Sequence, residues 1–227
     1  GPVDICGSGE DEDCDGFVDE AGCAGVGTWV CASCAGASDT NPGTQARPLK
    51  TINKGLVQAV TYGFNKVYVA NRDATTANIY AEDLTLLPGI SIEGRWVPET
   101  PWWRSSAVRT VIHDTTAAGL KIPAGIGRDT VLEGFEVRSA GGLGGATVAS
   151  AVKITSSAPT LRDVWAGGFV PGAPAVATSV GILVSGTSSS PARPRLEGLA
   201  ADNPGGATDG SVARRLRAAL GRLCRAG

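Results

Sequence analysis

The chain has 227 residues, of which 42% are hydrophobic and 19% are charged, with a net charge of −2. Its mean hydropathy of +0.05 excludes a disordered chain and leaves enough apolar side chains for one main core and a small appendage. No single basic surface suits nucleic acid, and no segment is long and apolar enough to span a bilayer. We therefore expect a globular chain that neither binds nucleic acid nor inserts into a membrane.

Charge is distributed unevenly along the chain. Residues 1–46 contain nine acidic groups and no Lys or Arg, whereas residues 213–225 contain five unopposed Arg. The sequence indicates three parts: a Cys-rich acidic module over 1–36, a main domain over 37–203, and a Gly-rich loop with a basic tail over 204–227. The tail has the spacing of a short basic amphipathic helix, and we interpret it as an end cap or a terminal segment without function.

The acidic module contains a run in which carboxylates alternate ahead of a glycine. Alternate spacing points Asp11, Asp13 and Asp15 to one side, and Gly16 permits the turn that closes the shell. Only an oxygen-loving cation compensates so much like charge at short range, so the run predicts a Ca²⁺ site. The predicted ligands are Asp11, Asp13, Asp15, the Phe17 carbonyl, Asp19 and Glu20.

This predicted loop is shorter than a full EF-hand loop. Counted from Asp11, the twelfth position is Gly22, where an EF-hand has a bidentate Glu, so the closing carboxylate comes early. A solvated acidic linker that binds no specific ion is the alternative interpretation.

Five of the six cysteines lie within the first 34 residues, which suits an oxidising compartment and a small module braced by disulfides. The disulfide candidates are Cys6, Cys14, Cys23, Cys31 and Cys34, and the sixth cysteine is Cys224. A bridge between Cys6 and Cys14 would brace the acidic loop, but six cysteines permit fifteen connectivities. A zinc site that joins Cys31 and Cys34 with Cys14 and Cys23 is the rival interpretation.

The acidic module resembles a bacterial family of secreted and surface proteins that carries a metal-binding motif. The family pattern runs roughly Cys-Gly-Asp-Gly-x-Asp-x-Asp-Cys-Asp-Gly and often continues to an Asp-Glu pair. The matching residues are Cys6, Gly7, Gly9, Asp11, Asp13, Cys14, Asp15, Gly16, Asp19 and Glu20, while Ser8 and Glu10 depart from the pattern. The resemblance implies a calcium-binding module on a secreted or cell-surface protein.

From residue 117 onward, two phrases alternate along the chain with a period of about 30 residues. One phrase occurs at 119–122, 151–154 and 181–184, and the other occurs at 132–137, 161–166 and 196–201. Apolar residues fall at every second position of each copy, which indicates strands and not helices. A period of this length is typical of one coil of a solenoid, so the repeats predict an all-β, right-handed parallel β-helix.

The repeats also predict which side chains lie over one another. One row of the core is predicted to contain Leu132, Leu161 and Leu196, and a second row is predicted to contain Ile122, Ile154 and Val184. Bends between strands are predicted at Gly134, Asp163 and Gly198. Earlier strands are predicted at 66–70, 84–86, 90–94 and 110–114, and a capping helix is predicted at about 49–60.

The start of the main domain resembles the opening of bacterial pectate-lyase-like β-helix proteins. The resemblance is carried by Asp39-Thr40-Asn41-Pro42-Gly43-Thr44, by Arg47-Pro48-Leu49-Lys50-Thr51-Ile52 and by Val67-Tyr68-Val69-Ala70. It covers roughly residues 37–203 and implies the fold. It implies no single activity, because this superfamily includes lyases, hydrolases, adhesins and inert scaffolds.

The outward positions of the predicted strands favour no catalytic centre. His113 is the only histidine, and we interpret it as structural. The outward residues Glu133, Arg162 and Glu197 alternate in sign and predict a stabilising charge ladder. Two further outward residues, Lys121 and Lys153, are predicted neighbours that either meet an anionic sugar or are simply solvated.

Residues 95–104 contain three of the five tryptophans. Exposed tryptophan rings beside arginine suit stacking on sugar rings, so this segment predicts a carbohydrate contact. The predicted contact residues are Trp102, Trp103, Arg104, Lys121 and Lys153. The alternative is that the tryptophans fold back and cover the core.

These patterns favour a secreted or cell-surface, calcium-binding β-helix protein that is non-catalytic and serves adhesion, recognition or structure. The expected partner is a polysaccharide or a cell-surface glycan. The alternative is a calcium-dependent polysaccharide lyase that acts on acidic polysaccharides. In that case Lys121, Lys153 or Arg138 would be the base, and Asp114 or Glu136 would help to hold the ion.

Overall fold

The structure is a computed structural model that describes residues 27–99, 101–114, 120–139, 148–167, 178–187, 193–198 and 200–202. The predicted Ca²⁺ ligands, the basic tail and the cysteines Cys6, Cys14, Cys23 and Cys224 lie outside the described residues. Among the described residues, no helix has the length and hydropathy that a membrane span needs.

The described residues form one helix and fifteen strands. The first elements are β1 Thr28–Val30, α1 Ile52–Tyr62, β2 Lys66–Ala70, β3 Ile79–Tyr80, β4 Ser91–Val97 and β5 Trp103–Arg104. The next are β6 Thr110–Asp114, β7 Leu120–Ile122, β8 Val131–Glu133, β9 Phe135–Ser139 and β10 Val148–Thr155. The last are β11 Thr160–Arg162, β12 Trp165–Gly167, β13 Thr178–Ser185, β14 Arg195–Glu197 and β15 Ala200–Asp202.

The strands belong to three sheets that are mostly parallel. The largest has seven strands, six of them in the order β1-β2-β4-β8-β11-β14, with β5 added to β4 in the antiparallel direction. A five-stranded sheet has the order β15-β12-β9-β6-β3, and a three-stranded sheet has the order β13-β10-β7. From β6 onward, each strand therefore lies in a different sheet from the strand before it, whereas β1 pairs with β2 and β4 pairs with β5.

The predicted fold class, an all-β right-handed parallel β-helix, is wrong. A regular solenoid adds one strand to each sheet in every coil. The described sheets instead contain seven, five and three strands, their strands are mostly short, and the largest sheet includes an antiparallel strand. The described residues therefore form three mostly parallel sheets with one helix, and they do not make a clear solenoid.

The predicted row of leucines is confirmed within the large sheet. Leu161 lies in register with Leu132 on one side and with Leu196 on the other. The row continues through Ile92 to Val67 on β2, and all of these residues except Leu196 are fully buried. Burial of such aliphatic side chains contributes about 25 cal/mol per Å² of apolar surface removed from water.

The residues of the second predicted row pair as expected, but one of them is much more exposed than the other two. Ile154 lies in register with Ile122 and with Val184 on the three-stranded sheet. Ile122 and Ile154 are buried, whereas Val184 on the outer strand β13 is 43% exposed. The predicted strand at 84–86 does not form: Leu84 and Leu86 are buried, but only Thr85 makes an isolated bridge, to Lys121.

Helix α1 lies against β1 and β2 and begins three residues after the predicted start. Thr51 caps its first turn by accepting a hydrogen bond from the Lys54 N–H, and Gly63 ends it in the left-handed conformation with φ of 72°. Gly55 permits the close approach to the sheet, because a Cβ added there would lie 2.7 Å from Val30 Cγ2.

The bends between the large sheet and the five-stranded sheet fall where the sequence predicts them. Gly134, Asp163 and Gly198 have φ values of 78°, 50° and 60°. Each follows directly after a strand of the large sheet and lets the chain turn into the next sheet. Arg95 has the same left-handed conformation, with φ of 70°, although its side chain gave no reason to expect it.

Candidate functional site

The outer face of the large sheet carries one continuous row of polar and aromatic side chains. It runs in register through Trp29, Tyr68, Glu93, Glu133, Arg162 and Glu197. We call these six residues the outer row. Because successive side chains of a strand point to opposite faces, the outer row lies on the side of the sheet opposite the buried leucines.

The charged end of the outer row confirms the predicted ladder. Glu133 accepts a hydrogen bond from Arg162 Nη1 at 2.9 Å, and Arg162 Nε donates to Glu197 at 2.8 Å. Arg104 Nη1 also donates to Glu133, at 2.8 Å. Exposed ion pairs contribute only about 0.2–1 kcal/mol each, but a connected network fixes the positions of all its side chains.

The ladder changes the acidity of its carboxylates. Burial acts to raise the pKa of Glu133, but the hydrogen bonds and charges of Arg104 and Arg162 outweigh it and hold the pKa below its usual range. The hydrogen bond from Arg162 lowers the pKa of Glu197. At the aromatic end of the row, Lys66 binds Glu93 at 2.9 Å, and this contact raises the pKa of Lys66.

A second ion-pair cluster lies at the bend and was missed by the sequence analysis. Asp163 accepts hydrogen bonds from Arg109 Nε at 3.0 Å and from Arg109 Nη2 at 2.6 Å. Its other carboxylate oxygen binds Arg95 Nη2. Arg109 lies 54 residues before Asp163 in the sequence, so no local spacing connects the two. The cluster attaches the segment before β6 to the bend after β11.

Four aromatic rings, three of them buried and Trp96 partly buried, form a cluster at the other end of the outer row. Trp29 contacts Tyr68, Trp96 and Trp102 at ring-centroid distances of 4.3, 5.0 and 4.9 Å. Aromatic pairs of this kind contribute about 0.5–1.5 kcal/mol each beyond their buried area. Trp102 is only 9% exposed. For this residue the structure agrees with the alternative interpretation, in which the tryptophans fold back against the protein.

Trp103 has a different environment from Trp102. Trp103 is 41% exposed, and its indole Nε1 donates a hydrogen bond to Glu99 Oε2 at 3.1 Å. Strand β5 holds its backbone against β4, with Trp103 opposite Val97 and Arg104 opposite Trp96. The structure thus presents an exposed indole, held by Glu99, directly before Arg104 on β5.

The structure does not place all predicted carbohydrate contacts on one sheet. Lys121 and Lys153 lie in register on neighbouring strands β7 and β10 of the three-stranded sheet. Trp103 and Arg104 belong to the large sheet. The two lysines are therefore neighbours as predicted, on a different sheet from the exposed tryptophan.

Two residues of the lyase alternative are paired with each other. Glu136 and Arg138 form an ion pair on β9, and Arg138 lies in register with His113 on β6. Asp114 lies in register with Ser139. The Arg138 guanidinium is therefore occupied by Glu136 on its own strand.

The cysteines of the loop after β1 form a disulfide between Cys31 and Cys34. A disulfide leaves neither sulfur as a thiolate, so it does not fit the rival zinc site that uses both residues. The remaining predicted disulfide and metal residues lie outside the described part of the chain. Within the described part, no three His, Cys, Asp or Glu side chains are grouped as a metal site.

Comparisons with known proteins found no match. No family model matches the chain, and no curated protein or solved structure shows significant similarity to it. The resemblances to the metal-binding-motif family and to pectate-lyase-like proteins therefore stay predictions.

Proposed function

We propose that the chain is a non-catalytic recognition module of a secreted or cell-surface protein, and that it binds carbohydrate at strand β5 of the large sheet. The observation that carries this proposal is Trp103, which is 41% exposed although Glu99 fixes its indole N–H. A sugar ring stacks on an aromatic face, and a face that is already oriented loses little conformational entropy on binding.

Arg104 gives this surface a preference for acidic sugars. It follows Trp103 in the sequence of β5 and uses Nη1 to bind Glu133. A guanidinium has five N–H donors, so donors remain for a sugar carboxylate or sulfate. The expected ligand class is therefore a polysaccharide or cell-surface glycan that carries negative charge.

The ion pairs of the outer face support recognition over catalysis. Glu133 and Glu197 are bound by arginines of the ladder, and Asp163 is bound by Arg95 and Arg109. A calcium-dependent lyase would need carboxylates that face an ion and a basic side chain that can lose its proton. Carboxylates already neutralised by arginine suit a rigid surface better than a reactive one.

The predicted Ca²⁺ site at residues 11–20 is a second part of the proposal. Calcium would cancel the repulsion among its carboxylates and rigidify the acidic module that precedes the sheets. The placement of cysteines around these acidic residues supports this assignment, since a braced loop holds its ligands closer to the bound geometry.

A glycan array probed with the full chain in calcium-containing buffer tests the recognition function. We expect retention of acidic polysaccharides that weakens as salt is added, because the charge contribution is screened. Failure to retain any glycan at low and physiological ionic strength would contradict the proposal. Incubation with uronate polymers tests the lyase alternative, and a rise in the absorbance of unsaturated products would contradict the non-catalytic assignment.

A further inference from the structure

All three sheets end on strands from one consecutive stretch of the chain. Strands β13, β14 and β15 are the terminal strands, and they pair in parallel with β10, β11 and β12. Each terminal strand has one edge without a pairing strand among the described residues. Such an edge presents backbone N–H and C=O groups that can pair with another chain.

This end of the molecule also exposes the core. In the three-stranded sheet, Ile154 is fully buried, whereas its neighbour Val184 on β13 is 43% exposed. In the large sheet, Leu161 is fully buried, whereas its neighbour Leu196 on β14 is only partly buried. The last layer of apolar side chains is thus incomplete within the part of the chain that the structure describes.

We propose that a second copy of this chain covers this end through a two-fold axis, with β14 pairing antiparallel to the same strand of its partner. The evidence is the sequence of β14, Arg195-Leu196-Glu197, which is complementary to itself when reversed. Within one copy, Arg195 Nε binds Glu197 Oε1 at 2.6 Å and Arg162 Nε binds Glu197 Oε2 at 2.8 Å, so on pairing Arg195 would exchange its same-strand contact for the partner's Glu197. Centred on Leu196, the pairing places Leu196 opposite the partner's Leu196 and Arg195 opposite the partner's Glu197. Opposite charges and apolar pairs directly across two strands stabilise a sheet.

The other end of the large sheet explains why the assembly closes as a pair. The edge of β1 is already used, because Leu49 N–H donates to Trp29 O at 2.9 Å and Cys31 N–H donates to Leu49 O at 2.8 Å. Trp29 N–H donates to Gly43 O at 2.7 Å. The β14 edge of one copy therefore cannot extend β1 of the next, so head-to-tail growth of the large sheet is disfavoured and an isologous dimer is the arrangement we propose.

A charge-swap experiment on the full chain tests the dimer independently of carbohydrate binding. Sedimentation equilibrium of the parent should show a monomer–dimer equilibrium. In a dimer of the Arg195→Glu variant, each pair of facing positions 195 and 197 would contain two carboxylates. In a dimer of the Glu197→Arg variant, each such pair would contain two guanidinium groups. Each should weaken the dimer at least about tenfold.

An equimolar mixture of the two variants provides the decisive arm. In the mixed dimer both opposing pairs again carry opposite charges, so dimerisation should return toward the parent affinity. Arg72→Glu makes the same charge change at an exposed position after β2 and should leave the equilibrium unchanged. Circular dichroism of each variant verifies that the fold is retained.

Three outcomes would overturn the proposal. A parent chain that stays monomeric at every soluble concentration would show that this end is not a self-interface, for example because residues 203–227 cover it. Dimerisation that both single variants retain would place the interface elsewhere. A mixture that is no more dimeric than either variant alone would exclude the antiparallel register centred on Leu196.

Discussion

Glu93 and Glu133 lie opposite each other on the parallel strands β4 and β8, so the outer row places two like charges side by side. Like charges directly opposite destabilise a sheet. Lys66 binds Glu93 at 2.9 Å, and Arg104 binds Glu133 at 2.8 Å, so each carboxylate has its own cation. The stability of this face therefore depends on the ionisation of its acids.

Glu133→Gln is expected to reduce the free energy of unfolding by about 0.5–1 kcal/mol at neutral pH. The arginines lower the folded-state pKa of Glu133 below its unfolded value. Its contribution is thus present above the unfolded pKa and is lost as pH falls through the folded pKa. Urea unfolding at neutral pH and at about pH 3 should show that the difference between parent and variant shrinks in acid. The exposed control Asp129→Asn should reduce the free energy of unfolding by less at neutral pH. An equal loss of stability for Glu133→Gln at both pH values would contradict the ladder's role.

Gly134→Ala is expected to destabilise the chain by about 1–2 kcal/mol. Gly134 has φ of 78°, and a Cβ there would lie 3.1 Å from Arg95 Cγ and 3.2 Å from Arg95 Cδ. The matched control is Gly89→Ala, because Gly89 has φ of 75° but nothing within 4 Å of an added Cβ. Thermal unfolding should therefore give a larger loss for Gly134→Ala, and equal losses would mean that the bend tolerates contact with Arg95.

Glu82→Ala is expected to destabilise α1 by about 1–2 kcal/mol. Glu82 Oε1 accepts from the Ile52 N–H at 2.8 Å, and Oε2 accepts from the Asn53 N–H at 2.9 Å. These are N–H groups of the first helical turn, which have no partner inside the helix. Glu82→Gln keeps one acceptor oxygen, so urea unfolding should show a smaller loss of stability than for Glu82→Ala. Similar losses of stability for both variants would show that the charge of Glu82 matters and the number of its acceptor oxygens does not.

The sequence predicted strand register well because register depends on local alternation. Leu132, Leu161 and Leu196 occupy equivalent positions of a repeated phrase, and residues that repeat at the same phase pair when the strands are adjacent. The bend at Gly134 could be predicted equally well, since glycine after an alternating run marks a break in the strand. Fold class was predicted wrongly because the repeats define neighbours within a sheet and do not fix how many strands each sheet receives.

The site was harder to predict because it depends on contacts between distant segments. Nothing in the tryptophan-rich segment distinguishes Trp102 from Trp103, since Trp102 is buried by Trp29, which lies 73 positions earlier. Asp163 was recognised as a bend, but its ion pairs need Arg95 and Arg109 from another part of the chain. The one signal in the sequence was that Asp163 stands where the other two copies of the phrase have Gly134 and Gly198.

Calcium binding is expected with a Kd of about 10⁻⁴ to 10⁻³ M, the range of extracellular modules. Isothermal titration of the full chain should show this binding, and Asp13→Ala should abolish it, because Asp13 lies at the centre of the predicted ligand run. Asp129→Ala, which removes an exposed carboxylate outside that run, should bind as the parent does. Absence of calcium binding in the parent would exclude the predicted site.

Glycan affinity of Trp103→Ala tests the recognition function most directly. Titration calorimetry should use the acidic polysaccharide that the parent retains, with Val60→Ala as the control because Val60 is 58% exposed on α1. Loss of the stacking ring is expected to weaken binding about tenfold, or about 1.4 kcal/mol, with an unchanged unfolding midpoint. The control should bind like the parent. Equal affinity of Trp103→Ala and the parent for every retained glycan would contradict carbohydrate recognition at β5.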